Sequence, residues 1–447
     1  MALTLEWRRR IENWLKEMPA HLYTPLGSIE LEGFITLEQL SPLQALGREF
    51  SAFPVGTQWG AKWEYAWFKA QVVLPPEARG KRIVMRLDPG GESAVFVDGI
   101  AVGAVDNQHT EITLTRAGIP GTNYAMLCET YAGHGPRVVS AGPVGLGRET
   151  VPEPPETQVT VGHSTFGIWE EELYQLWMDV RTLLGVRDNI DANSLRVVEI
   201  DAGLRDFTLL VDLEADYDTK LAGAAAARAR LKPLLDAVNG STAPLLYTFG
   251  HSHIDVAWLW PLAETERKTA RTFGTQLALM DEYPEFKFIA SEPHIFRWVK
   301  NNVSELYQRV QEAAARGQFI PEGGMWVEAD TNISGGEALI RQFVHGQRYY
   351  GEEFGVRCEM LWLPDVFGYS GALPQILQGS GIKYFSTAKI FWAYNGGDPF
   401  PYNTFCWEGI DGTGVLVHLM NDYNSHTDPA SLIERWNGRV QKDGINA

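Results

Sequence analysis

Cysteine is scarce in this sequence of 447 residues, which has only Cys128, Cys358 and Cys406, far apart along the chain. An odd number of widely separated cysteines predicts neither a disulfide framework nor a cysteine-rich zinc cluster. Long apolar runs are also missing: no stretch of about 18 apolar residues occurs, so no membrane-spanning helix is expected. Because the N-terminus lacks the uninterrupted apolar segment of a secretory signal, we expect a cytoplasmic protein.

Positively charged residues are also fewer than negatively charged ones. The chain has 38 Lys and Arg residues against 56 Asp and Glu residues, a formal net charge of -18. This balance argues against nucleic acid and anionic membrane surfaces as partners, since both require basic patches. A neutral ligand such as a sugar is compatible with it. Homo-oligomerisation is left open.

The composition changes along the chain and predicts several domains. We expect an N-terminal helix and extended arm over residues 1–55. Short β-type runs between turn residues, among them a hairpin with Asp98-Gly99 at its turn, predict an antiparallel β-sandwich over residues 56–151. A mainly helical linker region is expected over residues 152–243, and a β/α domain over residues 244–447.

The β/α prediction rests on strands of five to eight residues that alternate with helices, which indicates a parallel sheet with right-handed crossovers. The first strand is predicted to end at Gly250. Helices are predicted at about Leu262–Tyr283, Phe296–Gly317 and Gly336–Phe354. The earlier stretch RDFTLLVDLEADYD stays undecided between strand and helix.

The stretch LLYTFGHSHIDVAWLWP contains a pattern that suits a metal. On an extended backbone, residues two apart point to the same side, so His253 and Asp255 can direct an imidazole nitrogen and a carboxylate oxygen at one point. Trp258 and Trp260 follow and provide aromatic surface. A lone H-x-D pattern is weak evidence, because His and Asp also cap helices and bind backbone near strand ends.

A second stretch, EMLWLPDVFGYSG, strengthens the metal hypothesis. Asp365 follows an apolar strand, and the C-terminal ends of parallel strands share one edge, so Asp365 is expected to meet His253 and Asp255 there. One His, two carboxylates and a further ligand suit zinc or a similar divalent ion. Two other predicted strand ends carry acid or imidazole side chains, some of them as caps: Glu292, His294, Glu328 and Asp330.

Four ordered motifs carry a family resemblance: HSHIDVAWLWP, ASEPHIFRWVK, GGMWVEADTNISGGEALIRQFVHGQRYYGEEFG and LWLPDVFGYSGALPQIL. Together they resemble the α-mannosidases of glycoside hydrolase family 38, in the branch with cytosolic and bacterial members. The resemblance implies a seven-stranded, barrel-like β/α catalytic domain and a retaining mechanism at a zinc site, with Co²⁺ or another divalent metal as an alternative. It implies that the substrates are oligosaccharides with terminal non-reducing α-D-mannose.

The same resemblance implies roles for individual residues. His253, Asp255 and Asp365 correspond to metal ligands, and Asp365 also corresponds to the catalytic nucleophile. Trp258 and Phe367 occupy the positions of aromatic residues that pack against the sugar, and Lys389 falls near a cation beside the nucleophile. No motif identifies the general acid.

The sequence departs from the family pattern in one respect. Relatives take a further metal ligand from a His in a motif of the E-L-x-x-H-x-G-T type, and no such motif occurs before Ala447. His418 and His426 lack that context. We therefore expect the sequence to be the N-terminal portion of a longer enzyme, with an incomplete catalytic domain, poor solubility and little or no activity by itself.

Two other functions are alternatives to the hydrolase. A metal-dependent polysaccharide deacetylase also places Asp and His ligands in a β/α barrel, but HSHID lacks the second His of its usual H-S-x-x-H signature. A non-catalytic carbohydrate-binding scaffold would fit an incomplete domain. Turnover of an aryl α-mannoside would separate the hydrolase from both alternatives.

Overall fold

The computed structural model describes residues 3–135, 156–392, 400–420 and 423–442. The α-helices are α1 Leu5–Glu17, α2 Pro42–Leu46, α3 Glu171–Asn189, α4 Leu195–Leu210, α5 Tyr217–Leu235, α6 Leu262–Glu282, α7 Pro293–Asn302, α8 Ser304–Ala315, α9 Gly336–Phe354, α10 Leu373–Gly379 and α11 Pro429–Gly438. None of the helices in these ranges combines the length and the apolar character that a bilayer crossing requires.

The strands fall into a sandwich group and a β/α group. The first group is β1 Tyr23–Ser28, β2 Glu32–Thr36, β3 Ser51–Ala52, β4 Gln58–Trp59, β5 Tyr65–Val73, β6 Ile83–Arg86, β7 Glu92–Val97, β8 Ile100–Val105, β9 Glu111–Thr115, β10 Asn123–Tyr131, β11 Val159–Thr160 and β12 Thr165–Trp169. The second is β13 Gly250–His251, β14 Phe288–Ala290, β15 Phe319–Pro321, β16 Met360–Leu363, β17 Tyr384–Thr387, β18 Thr404–Glu408 and β19 Gly414–Leu419.

The first group forms the antiparallel β-sandwich that the sequence predicts. One sheet has the order β1-β12-β6-β9 and the other the order β3-β2-β5-β10-β7-β8, while β4 pairs with β11. Five of these strands, β1, β2, β3, β11 and β12, lie outside residues 56–151, so strand pairing occurs on both sides of that range. The predicted hairpin between β7 and β8 is confirmed: Asp98 and Gly99 have φ angles of 51° and 83°, as a type I′ turn requires.

Strand β5 connects the sandwich to the rest of the protein. Successive side chains on a strand point to opposite faces. Phe68 therefore enters the sandwich interior beside Met85, while Trp67 points outward and joins the cluster around Phe273 of α6. Both aromatic side chains are fully buried, so one strand contributes to two cores and the sandwich shares a core with the β/α domain.

Helices α1, α3, α4 and α5 pack around a third core that includes Ile11, Leu176 and Phe207. Of these helices, α3, α4 and α5 lie within residues 152–243. The undecided stretch begins inside a helix, because residues 205–210 belong to α4.

The β/α region contains two runs of parallel strands. Strands β13, β14 and β15 are parallel neighbours, and so are β16, β17 and β19; a parallel bridge between Gly323 and Leu361 joins the two runs. Strand β18 pairs antiparallel with β19 at the outer edge, which the sequence did not predict. Within the described residues the sheet is open, so the barrel-like closure implied by the resemblance is not seen there.

Two local predictions for the β/α domain were wrong. The predicted strand before Gly250 is reduced to β13, and the apolar residues Leu245 and Tyr247 are exposed. Strand β13 has a described partner on one side only, so the preceding residues have no strand against which to pair. The predicted helix over Phe296–Gly317 is two helices, α7 and α8, because Val303 takes a non-helical conformation between them.

Candidate metal centre and active site

The loops after β13 and β16 bring His253, Asp255 and Asp365 together, as predicted from the strand ends. Each of the three offers a ligand atom, and these atoms all lie within 4.8 Å of one another. His253 Nε2 is 3.4 Å from Asp255 Oδ1 and 3.3 Å from Asp365 Oδ2. One imidazole nitrogen thus faces two carboxylate oxygens.

This spacing fits a metal. Ligand atoms that surround zinc tetrahedrally at about 2.0–2.2 Å lie about 3.3–3.6 Å from one another. The two separations from His253 Nε2 fall in that range. Nε2 is also buried, and both of its charged neighbours are carboxylate oxygens, an environment that suits a bound cation. The three side chains therefore fit a divalent metal.

The opposite nitrogen of His253 lies beside a third carboxylate. His253 Nδ1 is 2.9 Å from Glu328 Oε2, and the Glu328 side chain is only 5% exposed. A carboxylate that accepts the second N–H of a metal-binding His fixes its tautomer and orients its ring. Glu328 thus directs His253 Nε2 toward Asp255 and Asp365.

The charge balance of the cluster attracts a cation. Burial lowers the pKa of His253, but hydrogen bonds and charges from Asp255 and Glu328 outweigh burial and raise that pKa to about 10. The carboxylates therefore hold a proton on the imidazole in the absence of another positive charge. A divalent metal satisfies the same carboxylates and can take the place of that proton.

Glu328 is itself held in place by residues at the end of β14. Ser291 Oγ donates a hydrogen bond to Glu328 Oε1 at 2.8 Å, and the Glu328 N–H donates to Glu292 Oε1 at 2.9 Å. Glu292 is buried and has a left-handed φ of 69°, a strained conformation for a residue other than Gly. Burial and the charge of Glu328 raise the pKa of Glu292 well above its usual range, which favours its protonated form.

The other two acid or imidazole residues at these strand ends do not join the cluster. Asp330 Oδ1 accepts hydrogen bonds from the N–H groups of Asn332 and Ile333, both at 2.8 Å, so it caps a turn. His294 packs on Trp298 with ring centroids 4.0 Å apart. The sequence alone does not distinguish Glu328 from Asp330. Their different contacts arise only in the folded structure.

Two further histidines, His251 and His418, form hydrogen bonds outside the cluster. His251 Nδ1 lies 3.1 Å from the carbonyl of Ile289, and Trp362 donates to His251 Nε2 at 3.2 Å, so both ring nitrogens are satisfied. His418 Nδ1 hydrogen-bonds Thr404 at 2.8 Å. Neither belongs to the metal-suited group found among the described residues.

Asp365 also contacts a cation. Its Oδ1 forms an ion pair with Lys389 Nζ, whose side chain is 6% exposed, while Oδ2 faces His253. The two oxygens of one carboxylate thus have different neighbours, and Lys389 lies beside Asp365 as the resemblance implied. The Lys389 ammonium is also 5.4 Å from the ring centre of Phe367 and 5.6 Å from that of Tyr423.

The predicted sugar-facing aromatics are exposed and close in the chain to the cluster residues. Trp258 is 50% exposed on the loop that carries Asp255, and Phe367 is 68% exposed two residues after Asp365. Exposed aromatic faces beside a metal-suited site provide apolar surface for a ligand.

A parallel β/α sheet with a His–carboxylate cluster at its strand ends, next to exposed aromatics, is the arrangement of a metal-dependent hydrolase. Comparison with known families is more specific. Residues 244–447 match the N-terminal domain of glycosyl hydrolases family 38, and residues 27–144 match the jelly roll domain of α-mannosidases. Residues 244–447 are therefore a family 38 domain, and the sandwich corresponds to the jelly roll domain of α-mannosidases.

Curated relatives agree with this assignment. α-Mannosidase 2C1 of Mus musculus is 36% identical over 402 residues, which cover 88% of this chain and 37% of the relative. An α-mannosidase of Saccharomyces cerevisiae is 46% identical over 175 residues, covering 39% of this chain and 16% of the relative. The chain thus spans little more than a third of the length of the mouse relative. A solved α-mannosidase of Enterococcus faecalis aligns over 44% of this chain and 23% of its own, with 20% identity and a TM-score of 0.37.

Proposed function

We propose that this chain carries the nucleophile and three metal ligands of a retaining α-mannosidase that hydrolyses terminal non-reducing α-D-mannose from oligosaccharides. The observation that carries the proposal is the group His253, Asp255 and Asp365, whose ligand atoms lie together at the strand ends with separations that suit zinc. The relatives named as α-mannosidases support the substrate class, and nothing in them supports the deacetylase alternative.

The metal and the residues around it have separate proposed roles. When bound, zinc, or Co²⁺ or another divalent ion, would keep Asp365 ionised and bind the cis hydroxyls at carbons 2 and 3 of mannose. We infer that Asp365 attacks the anomeric carbon through the carboxylate oxygen that does not bind the metal, so that the bond to the leaving-group oxygen breaks and a glycosyl-enzyme forms. Trp258 and Phe367 offer their exposed faces to the sugar. The acid that protonates the leaving oxygen is left unassigned.

Several finer points stay predictions. They are the seven-stranded, barrel-like arrangement of the catalytic domain, the domain limits, the choice of zinc, a cytoplasmic location and the oligomeric state. The barrel would require further strands beside the described open sheet, and the short β13 lies at an edge where one could pair.

We expect hydrolysis of p-nitrophenyl α-mannoside to depend on how much of the protein is present. The test compares Met1–Ala447 with a chain extended to the length of its relatives, both with zinc or cobalt added. The extended chain should be active and the shorter one much less so, because missing groups near the sugar can cost on the order of a hundredfold or more. Equal rates would place the complete site within these residues and make His418 and His426 the ligands to test. No hydrolysis by either would contradict the proposed function.

Replacing Glu328 by Gln is expected to weaken metal binding about 10- to 100-fold, since the orienting carboxylate of His253 is lost while the ligands stay. Zinc affinity measured by competition with a chromogenic chelator checks this. The matched control is Asp330→Asn, two residues away at the same strand end, which caps a turn and contacts none of the ligands. Equal affinities in the two variants would show that Glu328 does not orient His253.

A further inference from the structure

A pocket of about 670 Å³ opens between the jelly roll domain and the metal-binding loop. It is lined by Leu37, Trp63 and Tyr65 from the jelly roll domain and by Trp258, Leu259 and Trp260 from the loop that follows Asp255. Its volume lies within the roughly 300–1,000 Å³ typical of small-molecule sites. Both domains therefore build this interdomain pocket.

The surface of the interdomain pocket suits a neutral ligand. Its one charged lining residue, Arg267, is buried and already engaged: the guanidinium lies 3.6 Å from the ring centre of Tyr65, and Nε donates to Glu129 at 2.8 Å. The other groups of Arg267 donate to backbone carbonyls. The lining residues thus offer mainly indole and phenol faces, and the C–H faces of a pyranose ring stack on such faces. A lysine ammonium lies over two of these rings, Lys62 over Trp63 and Lys268 over Trp260, each at 5.4 Å.

Trp63 is held in this pocket at a conformational cost. Its φ of 66° lies in the left-handed region, which bulky residues rarely adopt, and its N–H donates to the carbonyl of Gly133 at 3.2 Å. Strained residues of this kind are concentrated at ligand-binding sites. Because the indole remains partly exposed, its burial in a core does not explain the strain.

The interdomain pocket and the candidate active site share one loop. Trp258 follows Asp255 by three residues, so their Cα atoms lie within about 11 Å of each other. Trp260 Nε1 donates to Thr265 Oγ1 at 2.9 Å, and that hydroxyl lies 3.1 Å from the carbonyl of Asp255. The same loop therefore carries the metal-suited Asp255 and, three and five residues later, the pocket tryptophans Trp258 and Trp260.

We propose that the interdomain pocket binds a sugar residue on the reducing side of the scissile mannoside, so that the jelly roll domain takes part in oligosaccharide recognition. This inference rests on the proposed function for the identity of the sugar. Trp63 is the specificity-determining residue that the jelly roll domain contributes, and it stacks on a neutral pyranose next to the mannose that is removed.

The test measures binding of an α-linked mannotriose and of methyl α-mannoside by calorimetry, with saturating zinc, to the chain extended to the length of its relatives and carrying Asp365→Asn to prevent hydrolysis. We expect the trisaccharide to bind about tenfold more tightly than the monosaccharide, and Trp63→Gly to remove that advantage. Gly adopts φ of 66° without strain, so this variant should unfold at the same temperature or higher. Trp63→Phe, which keeps a flat ring, should retain most of the advantage.

The matched control is Trp7→Ala, which removes a partly exposed indole that lies on α1 and does not line the pocket. It should leave the ratio of the two affinities unchanged. Equal loss of both ligands in Trp63→Gly, no loss of either, or no trisaccharide advantage in the protein that retains Trp63 would overturn the subsite. A trisaccharide advantage that depends on Trp63, in a full-length protein that does not hydrolyse α-mannosyl fluoride, would instead overturn only the proposed catalytic function.

Discussion

Replacing Asp365 by Asn should lower α-mannoside hydrolysis by roughly four orders of magnitude or more, the scale of losses on removing a residue that makes a covalent intermediate. The substitution keeps the shape of the side chain but removes the charge that faces both His253 and Lys389. An amide is a poor nucleophile and a weaker metal ligand, so the glycosyl-enzyme should not form and metal affinity should also fall. The assay uses the extended chain, with mass spectrometry to detect a trapped glycosyl-enzyme.

The Asp365 variant needs a control for charge, because it removes the carboxylate charge that the buried Lys389 ammonium faces. The double variant Asp365→Asn with Lys389→Met removes both charges and should recover stability without recovering activity. Asp330→Asn, which alters a nearby acid outside the cluster, should retain activity. Hydrolysis at near-normal rates in Asp365→Asn would rule out Asp365 as the nucleophile.

Arg271→Ala is expected to destabilise the protein by about 3–5 kcal/mol, the usual cost of leaving a buried partner charge uncompensated. Arg271 of α6 is buried and forms ion pairs with Glu264, which has no exposed side-chain surface, and with Glu92 of the jelly roll domain at 3.1 Å. The ion pair between Arg271 and Glu92 thus links α6 to the jelly roll domain. Urea unfolding followed by fluorescence and by circular dichroism measures the loss.

The comparison variant is Arg341→Ala. Arg341 pairs with Glu337 on the exposed face of α9, where an ion pair contributes about 0.2–1 kcal/mol. A similar loss of stability in both variants would show that the Arg271 network does not hold the domains together. If Arg271→Ala does not fold, Arg271→Met with Glu264→Leu removes both charges and should restore a folded protein.

The sequence predicted those features that depend on local pattern. Helices α6 and α9 were predicted within a residue of their observed ends, because their apolar residues recur at helical spacing over five or more turns. The meeting of His253, Asp255 and Asp365 followed from a rule about the edges of parallel sheets. Both kinds of inference need no knowledge of distant contacts.

The features that the sequence did not reveal depend on the neighbours that each segment acquires. Nothing near Glu328 distinguishes it from Asp330, and only packing against β14 directs it to His253. Trp63 lies about 200 residues before Trp258 in the chain, so their shared pocket has no local signal. The break at Val303 and the shortening of β13 likewise depend on tertiary packing rather than on propensity.

The double role of β5 has a consequence for the synthesis of this protein. Trp67 belongs to a core that is completed by α6, and α6 is translated about 200 residues after β5. At about 5–20 residues per second, that interval lasts roughly 10–40 s. The nascent jelly roll domain therefore displays an uncovered aromatic face for as long as the ribosome takes to reach α6, and chaperones have that period in which to bind it.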